Sequence, residues 1–366
     1  MFEIFTLEKI FKAYNDCKKG KGRTANALVF EFNREKNLIS LRDDLLNQKY
    51  IPSRHICFII TKPVPREIFA ADFRDRIVHH LFYNEISAFC DKDFIRHSYA
   101  NRLNKGTHKA VQAVKEFVRH NPDGYYLKLD VRSFFPSINR NILFKIIKKN
   151  IYLCADYNMG KYKWNFTKKD RWVKDMTWLS QIIIFHDPIK NFIYKGDPSL
   201  VKIIPHHKSL FYSGADNGLP IGNLTSQFFA NIYLNELDQF ITKTLGFKNY
   251  ARYVDDFLII KRSKDNLLTQ ISIIRYFLKQ QLNLDLHPDK INLQHVSKGI
   301  DFLGYFVKPT HTLVRQKVVK RFKDKLYKRR SPDDGFFSLS DIPMIKSYLG
   351  HFSHANSFNL RRELSK

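Results

Sequence analysis

The chain has 366 residues, 44% of them hydrophobic, enough for a substantial core and two or three subdomains. Its 62 Lys and Arg against 35 Asp and Glu give +27 at pH 7, which points to a polyanionic partner held through phosphate contacts. No stretch has the length of a membrane span, Glu3 and Glu8 argue against an export signal, and the scattered Cys17, Cys57, Cys90 and Cys154 exclude a disulfide framework or structural zinc site and fit a reducing cytoplasm.

In chain order, residues 1–50 read as helical and basic, broken by a polar loop at Asn15–Thr24. A β-rich run from Ile51 to Ile60 leads into a turn at Pro63 and Pro65. Phe73–Ala88 carries Ile77, Leu81 and Ile86 at helical spacing, and Thr107–Arg119 does the same with Val111, Val114 and Phe117. Asn121-Pro122-Asp123-Gly124 predicts a turn before a strand at Tyr125–Leu129. Leu143–Tyr152 reads as a helix. Residues 156–217, with Pro188, Pro198 and Pro205, read as a less regular insertion in which Trp172, Trp178 and Ile182–Phe185 need burial. Helices are expected at Leu224–Ile241 and near Leu267–Leu282, with short strands near Ile291 and Phe302. From Arg315 to Arg330 nine of sixteen residues are basic, while Val318, Phe322 and Leu326 keep an apolar stripe, so this is a basic amphipathic helix.

The segment Ala251–Ile260 holds Asp255-Asp256 between two runs of β-branched and aromatic residues, the pattern of a β-hairpin. Two ionised carboxylates side by side repel, and a divalent cation removes that conflict. Asp130, at the end of the strand-like Tyr125–Leu129, is a third carboxylate able to share metal ions with the hairpin tip. Alone it would serve as a turn or helix-capping residue. His79-His80 and His206-His207 lack a third ligand nearby and read as surface or packing residues.

Taken together, a strand-end Asp, then a Gly-Asn helix start, then Tyr253-Val254-Asp255-Asp256 on a basic chain resembles the reverse transcriptases. The resemblance implies an α+β right-hand polymerase fold. Its N-terminal extension and fingers cover 1–124, a palm with an antiparallel sheet covers 125–305 with the insertion at about 156–217, and a helical thumb covers 306–366. It implies RNA-directed DNA synthesis with two Mg2+ ions, or Mn2+ in their place, held at Asp130, Val131, Asp255 and Asp256, with Lys290 as proton donor to the leaving pyrophosphate. Arg66, Arg74 and Arg76 match the fingers arginines that hold the incoming triphosphate, a task suited to the guanidinium fork. Phe135 falls where the family places the ring that excludes a 2′-hydroxyl; the alternative is an ordinary core ring. Arg102, in Ser98–Arg102, and Arg315, Lys317, Lys320, Arg321 and Lys323 are the expected nucleic-acid contacts, and Gly299–Tyr305 looks like the primer grip.

Leu219-Pro220-Ile221-Gly222-Asn223-Leu224-Thr225-Ser226-Gln227 and the C-terminal Ser347–Ser357 resemble the reverse transcriptases of diversity-generating retroelements and related defence-associated (antiphage) enzymes. The nucleotide site would include Ile221, Gly222 and Gln227, and Ile221, where relatives usually carry Gln, implies relaxed fidelity. Implied partners are a template or noncoding RNA, the nascent cDNA and RNA–DNA hybrid, and dNTPs, with a small accessory protein or second reverse transcriptase as further candidates and no membrane. A group II intron-like reverse transcriptase, an RNA-dependent RNA polymerase and a nonenzymatic RNA-binding scaffold stay open beside this reading.

Overall fold

The computed structural model describes residues 4–22, 24–62, 64–329 and 338–364, so Pro63 and Arg330 lie outside the described residues. Three helices open the chain: α1 (Leu7–Lys18), α2 (Ala25–Phe32) and α3 (Arg34–Leu46). They are followed by β1 (His55–Ile60), β2 (Arg66–Ala70), α4 (Phe73–Asp93), α5 (Thr107–His120) and β3 (Tyr125–Asp130). The middle of the chain forms α6 (Phe134–Ser137), α7 (Arg140–Tyr162), α8 (Phe166–Phe185), β4 (Phe192–Tyr194) and α9 (Leu224–Gln239). Next come β5 (Tyr250–Tyr253), β6 (Asp256–Lys261), α10 (Lys264–Leu282), β7 (Asn292–His295), β8 (Ile300–Phe302), β9 (Tyr305–Val307) and β10 (Thr312–Val314). Helices α11 (Gln316–Arg329), α12 (Ile342–Ser353) and α13 (Phe358–Leu364) complete the described chain.

Two compact units result. The first comprises residues 1–96, 131–240 and 275–287. Its sheet has the order β2-β1-β4, with β1 and β2 antiparallel and β4 parallel to β1. Short polar caps start its helices: Asp72 accepts from the Arg74 amide, Asn139 from Ile142 and Asn165 from Lys168. The sequence expectation needs correction in three places. Helix α1 runs through Asn15 to Lys18, so the polar loop is shorter. Arg66–Ala70, to which the sequence assigned no element, is a strand. Residues 156–217 begin as regular helix, broken where Lys163 turns left-handed at φ +51°, and α8 buries Trp172, Met176 and Leu179. Strand β4 then joins the sheet, so this stretch is part of the first unit's architecture.

Three histidines of this unit, His55 and His79 buried and His186 half-buried, line a cavity of about 20 Å3, room for a single water. His186 Nε2 lies 3.3 Å from His55 Nδ1, and the two rings stack at 5.0 Å. His79 is 7% exposed and its Nδ1 has no hydrogen-bond partner. Burial, reinforced by neighbouring positive groups, pushes His79 down to about 3 and His55 to about 4. Below about pH 6.5 the unfolded chain therefore takes up protons that the folded chain refuses. The stability these groups contribute is complete above that pH and is lost on acidification, by ~1.4 kcal/mol per pH unit for each histidine. The melting temperature should thus fall between pH 7 and pH 5, and fall less in His79→Gln; equal falls by calorimetry would contradict this.

The second unit comprises residues 97–130, 241–274 and 288–366. Its main sheet is antiparallel with the order β5-β6-β3-β7. One face packs on α5, where Val111, Val114 and Val118 meet Tyr126, Leu258 and Ile260 in an apolar core. A smaller sheet, β10-β9-β8, contributes Ile300, Phe302, Tyr305 and Val307 to the same core. Helix α11 lays Val319 and Phe322 against Phe352 and Tyr348 of α12, as the apolar stripe requires. All four cysteines are buried and free. Among the described residues no helix is long and apolar enough to cross a membrane.

Candidate active site

Strands β5 and β6 pair Tyr253 with Asp256, leaving Val254-Asp255 as a two-residue hairpin loop. Val254 sits at φ +57°, which is costly for a β-branched side chain. The loop is held from below. Arg252 is fully buried and donates to the Val254 carbonyl at 3.0 Å and to Ser98 Oγ at 3.1 Å. Its backbone amide donates to the His97 carbonyl, and its carbonyl accepts from Tyr99. The Ser98–Arg102 motif therefore runs beside β5, with Arg102 donating to the Ser98 carbonyl at 3.0 Å.

The register of β3 against β6 sets Asp130 opposite Asp256 at the end of the sheet. Two ammonium groups meet these carboxylates: Lys290 Nζ is 2.9 Å from Asp130 Oδ1, and Lys128 Nζ is 3.1 Å from Asp256 Oδ2. Burial, with the charge of Asp130 added, pushes the Asp255 carboxyl up to about 6. Burial also pushes Asp256 up to about 6, against the lowering effect of Lys128. Lys128 is absent from the sequence expectation, yet it stands two residues before Asp130 and so shares its face of the strand. That period-two relation was the available signal.

Among the described residues no group of three or more His, Cys, Asp or Glu is already arranged to hold a metal ion. The chemistry of the donors nevertheless fits Mg2+. They are hard carboxylate oxygens, their repulsion favours a cation, and Asp256 Oδ1 is buried with no hydrogen-bond partner.

Other expected residues belong to the first unit. Arg66 opens β2 and is exposed. The Phe69 amide donates to the Ile221 carbonyl at 2.9 Å, and the Ala71 amide to Asn223 Oδ1 at 3.0 Å, binding 221–223 to β2. Gly222 has φ +128°, and an added Cβ would stand 2.8 Å from Ile68 Cγ2, so the close approach needs glycine. Phe135 is half-buried, its ring 5.4 Å from that of Phe134, and its carbonyl accepts from Leu219. Gln227 is exposed in the first turns of α9. Val131 is buried and bridges Leu286. Arg76 Nε donates to the Ala71 carbonyl at 2.8 Å. Arg74 is committed elsewhere: it pairs with Asp44 at 2.7 Å, donates to the Ile51 carbonyl and lies 4.9 Å from the Tyr50 ring.

On α11, Lys317, Lys320 and Lys323 are exposed and Arg321 is half-buried. Lys323 pairs with Glu363 at 2.8 Å, and Arg315 grips the Asp301 carboxylate through two of its nitrogens.

Residues 64–307, about two thirds of the chain, match the family described as reverse transcriptase (RNA-dependent DNA polymerase). The chain belongs to this family; its fold is the α+β right-hand fold of polymerases, and its enzymatic class is RNA-directed DNA polymerase. Among curated proteins it is similar to Protein YkfC of Escherichia coli K12, 23% identical over 314 residues, covering 76% of this chain and 71% of that protein. It is also similar to the COX1/OXI3 intron 2 protein of Saccharomyces cerevisiae, 21% identical over 324 residues, covering 81% of this chain but 37% of the yeast protein. Among solved structures, telomerase from Candida albicans in complex with a telomeric RNA fragment aligns at 11% identity and TM-score 0.48, over 77% of this chain and 51% of that one. Apo telomerase from Candida tropicalis aligns at 14% identity and TM-score 0.45, over 71% and 48%. The chain thus spans about half the length of these telomerase chains.

Proposed function

We infer that the chain copies a cognate noncoding or template RNA into cDNA, in a diversity-generating retroelement or an antiphage defence system. The observation that carries the polymerase chemistry is the register of β3 on β6, which stands Asp130 opposite Asp256 at the tip bearing Asp255. In this reading Asp130, Asp255 and Asp256 hold the catalytic cations, with Val131 alongside. Bound Mg2+, or Mn2+, supplies charge stabilisation to the attacking and departing oxygens of an in-line displacement. Lys290 Nζ, exposed apart from its contact with Asp130, donates a proton to the leaving pyrophosphate. Arg66 and Arg76 hold the triphosphate, and Arg74 fixes the fold of that segment.

Supporting the setting are the Ile221-Gly222-Asn223 and Ser347–Ser357 motifs, and +27 of net charge suits an RNA partner. The fingers, palm and thumb bounded at 124 and 305, a cytoplasmic location, and a small accessory protein or second reverse transcriptase as partner belong to the same reading. A scaffold role is disfavoured because all three carboxylates are present. Sequencing the RNA and DNA that copurify with the chain tests the reading: one RNA species with its complementary DNA is expected, and ribosomal or random RNA without cDNA contradicts it.

Two side chains set selectivity. Phe135→Ala should admit ribonucleotides, raising rNTP relative to dNTP incorporation by ~10-fold or more. Ile221→Gln should lower misincorporation, because Ile221 offers no amide hydrogen bonds to the templating pair. Unchanged ratios would remove each role. On α11, neutralising Lys317 and Lys320 should flatten the slope of log binding constant against log salt by ~1–2, close to one for each phosphate deprived of its cation. An unchanged slope would place the nucleic acid elsewhere.

A further inference from the structure

Lys128 and Arg315 meet the same residue, one at its backbone carbonyl and the other at its carboxylate. Lys128, 19% exposed at its side chain, places Nζ 3.1 Å from Asp256 Oδ2 and 2.9 Å from the carbonyl oxygen of Asp301, with the Phe302 ring 5.8 Å away. An ammonium so enclosed has two anionic or dipolar acceptors and little access to solvent. Asp301 lies in the middle of β8, opposite Phe306. Its Oδ1 accepts from both Nε and one terminal nitrogen of Arg315, the residue immediately before α11. The Arg315 amide donates to the Gly304 carbonyl at 2.9 Å, and its own carbonyl starts the helix by accepting from Val318 and Val319. Gly304 sits at φ +89°, and an added Cβ would press on the His351 ring at 3.1 Å. Backbone and side chain therefore both pin the start of α11 to the β8–β9 hairpin.

We propose that Lys128, Asp301 and Arg315 form a relay that ties the Asp256 carboxylate to the first turn of α11, making Lys128 and Arg315 positioning residues for the catalytic tip. This revises the expectation that Arg315 contacts nucleic acid, and it rests on the polymerase reading for its kinetic consequence. The physical logic is geometric. Two neighbouring guanidinium N–H groups converging on one carboxylate oxygen hold it from a planar, rigid donor set that a lysine ammonium on its flexible stem does not reproduce. The pair is half-exposed, so its value lies in alignment more than in stability. A shift of α11 on the hybrid would move Asp301, and with it the ammonium that sets where Asp256 points. Misplacement of a reacting group by about 1 Å costs up to ~100-fold in rate.

The test measures primer extension and hybrid binding on the full chain for Asp301→Ala, Arg315→Met, Arg315→Lys and the pair Asp301→Ala/Arg315→Met, with Lys317→Ala as the phosphate-binding control. Both single variants should lower kcat, by ~3–10-fold, with KM for primer–template within about twofold and the salt slope of binding unchanged. The double variant should match either single one, since both break the same link. Arg315→Lys should rescue little. Lys317→Ala should flatten the slope by ~1, the readout that the Asp301 and Arg315→Met variants leave unchanged. Lys128→Met should give the largest fall in kcat, and Lys128→Arg covers the case in which the methionine variant does not fold. The relay is overturned if Arg315→Met flattens the slope as Lys317→Ala does and Arg315→Lys restores it, or if the two single effects multiply. A wild-type chain that makes no DNA would count against the polymerase reading instead, and the binding arm would still decide whether Arg315 touches phosphate.

Discussion

Asp255→Asn should reduce DNA synthesis to background, on the order of 10³-fold or more, equivalent to ~4 kcal/mol of transition-state stabilisation, while RNA binding stays largely intact. Asparagine matches aspartate in shape, so the hairpin tip keeps its geometry and the change is one of charge. The same substitution should make the metal-free protein more stable at pH 7.5. In the folded chain burial holds Asp255 up to about 6, so its ionised form is disfavoured. For a carboxyl raised in this way, stability falls as pH rises from the unfolded value near 3.9 through about 6, and stays reduced above it. The cost removed is at most ~3 kcal/mol at ~1.4 kcal/mol per pH unit. A variant that is inactive yet melts higher is the signature of a strained site kept for function. Retained synthesis, or loss of synthesis through unfolding, would remove Asp255 from the catalytic centre.

Arg252→Met carries the second largest expected effect, and it acts on shape. The guanidinium is fully buried and donates to the Val254 carbonyl and Ser98 Oγ. Methionine fills the space but leaves both acceptors unpaired, at ~1–3 kcal/mol each. It also releases the restraint on Val254, whose positive φ is held against a cost of ~1–2 kcal/mol. A fall in melting temperature of several degrees is expected, ~2 °C or more per kcal/mol. Synthesis should fall with it even at temperatures where the variant remains folded, because Asp255 follows Val254 in the loop. Calorimetry and kcat at 20 °C separate the two. A variant with wild-type kcat when folded would show that the tip does not depend on Arg252.

How far the sequence was legible differs from element to element. The hairpin was readable because β-branched and aromatic residues flank a turn-compatible Asp-Asp, and its pairing partner Tyr125–Asp130 ends in the third carboxylate. The extension of α7 beyond Tyr152 and the whole of α8 were not, although Trp172, Met176 and Leu179 repeat at helical spacing. Prolines downstream and a basic, aromatic composition masked that period, and a left-handed Lys163 separates two long helices without glycine or proline. Strand β4 has three residues and pairs with β1 from far along the chain, so no local pattern could announce it. Side-chain allegiance was the least accessible layer. Arg74, Arg76 and Arg66 look alike in sequence, and only the fold shows Arg74 turned to Asp44 and Tyr50. Arg315 was hidden for the same reason: an arginine on a basic chain reads as phosphate-seeking until its acceptor is seen.

The most direct measurement is extension of a DNA primer annealed to an RNA template by the purified chain, comparing dNTPs with rNTPs, with Mg2+ and with chelator, for wild type and Asp130→Asn. Mg2+-dependent extension by dNTPs in the wild type, abolished both by chelation and by Asp130→Asn, is the expected result. Extension that survives chelation or the loss of the Asp130 carboxylate, or that proceeds only with rNTPs, would contradict the account.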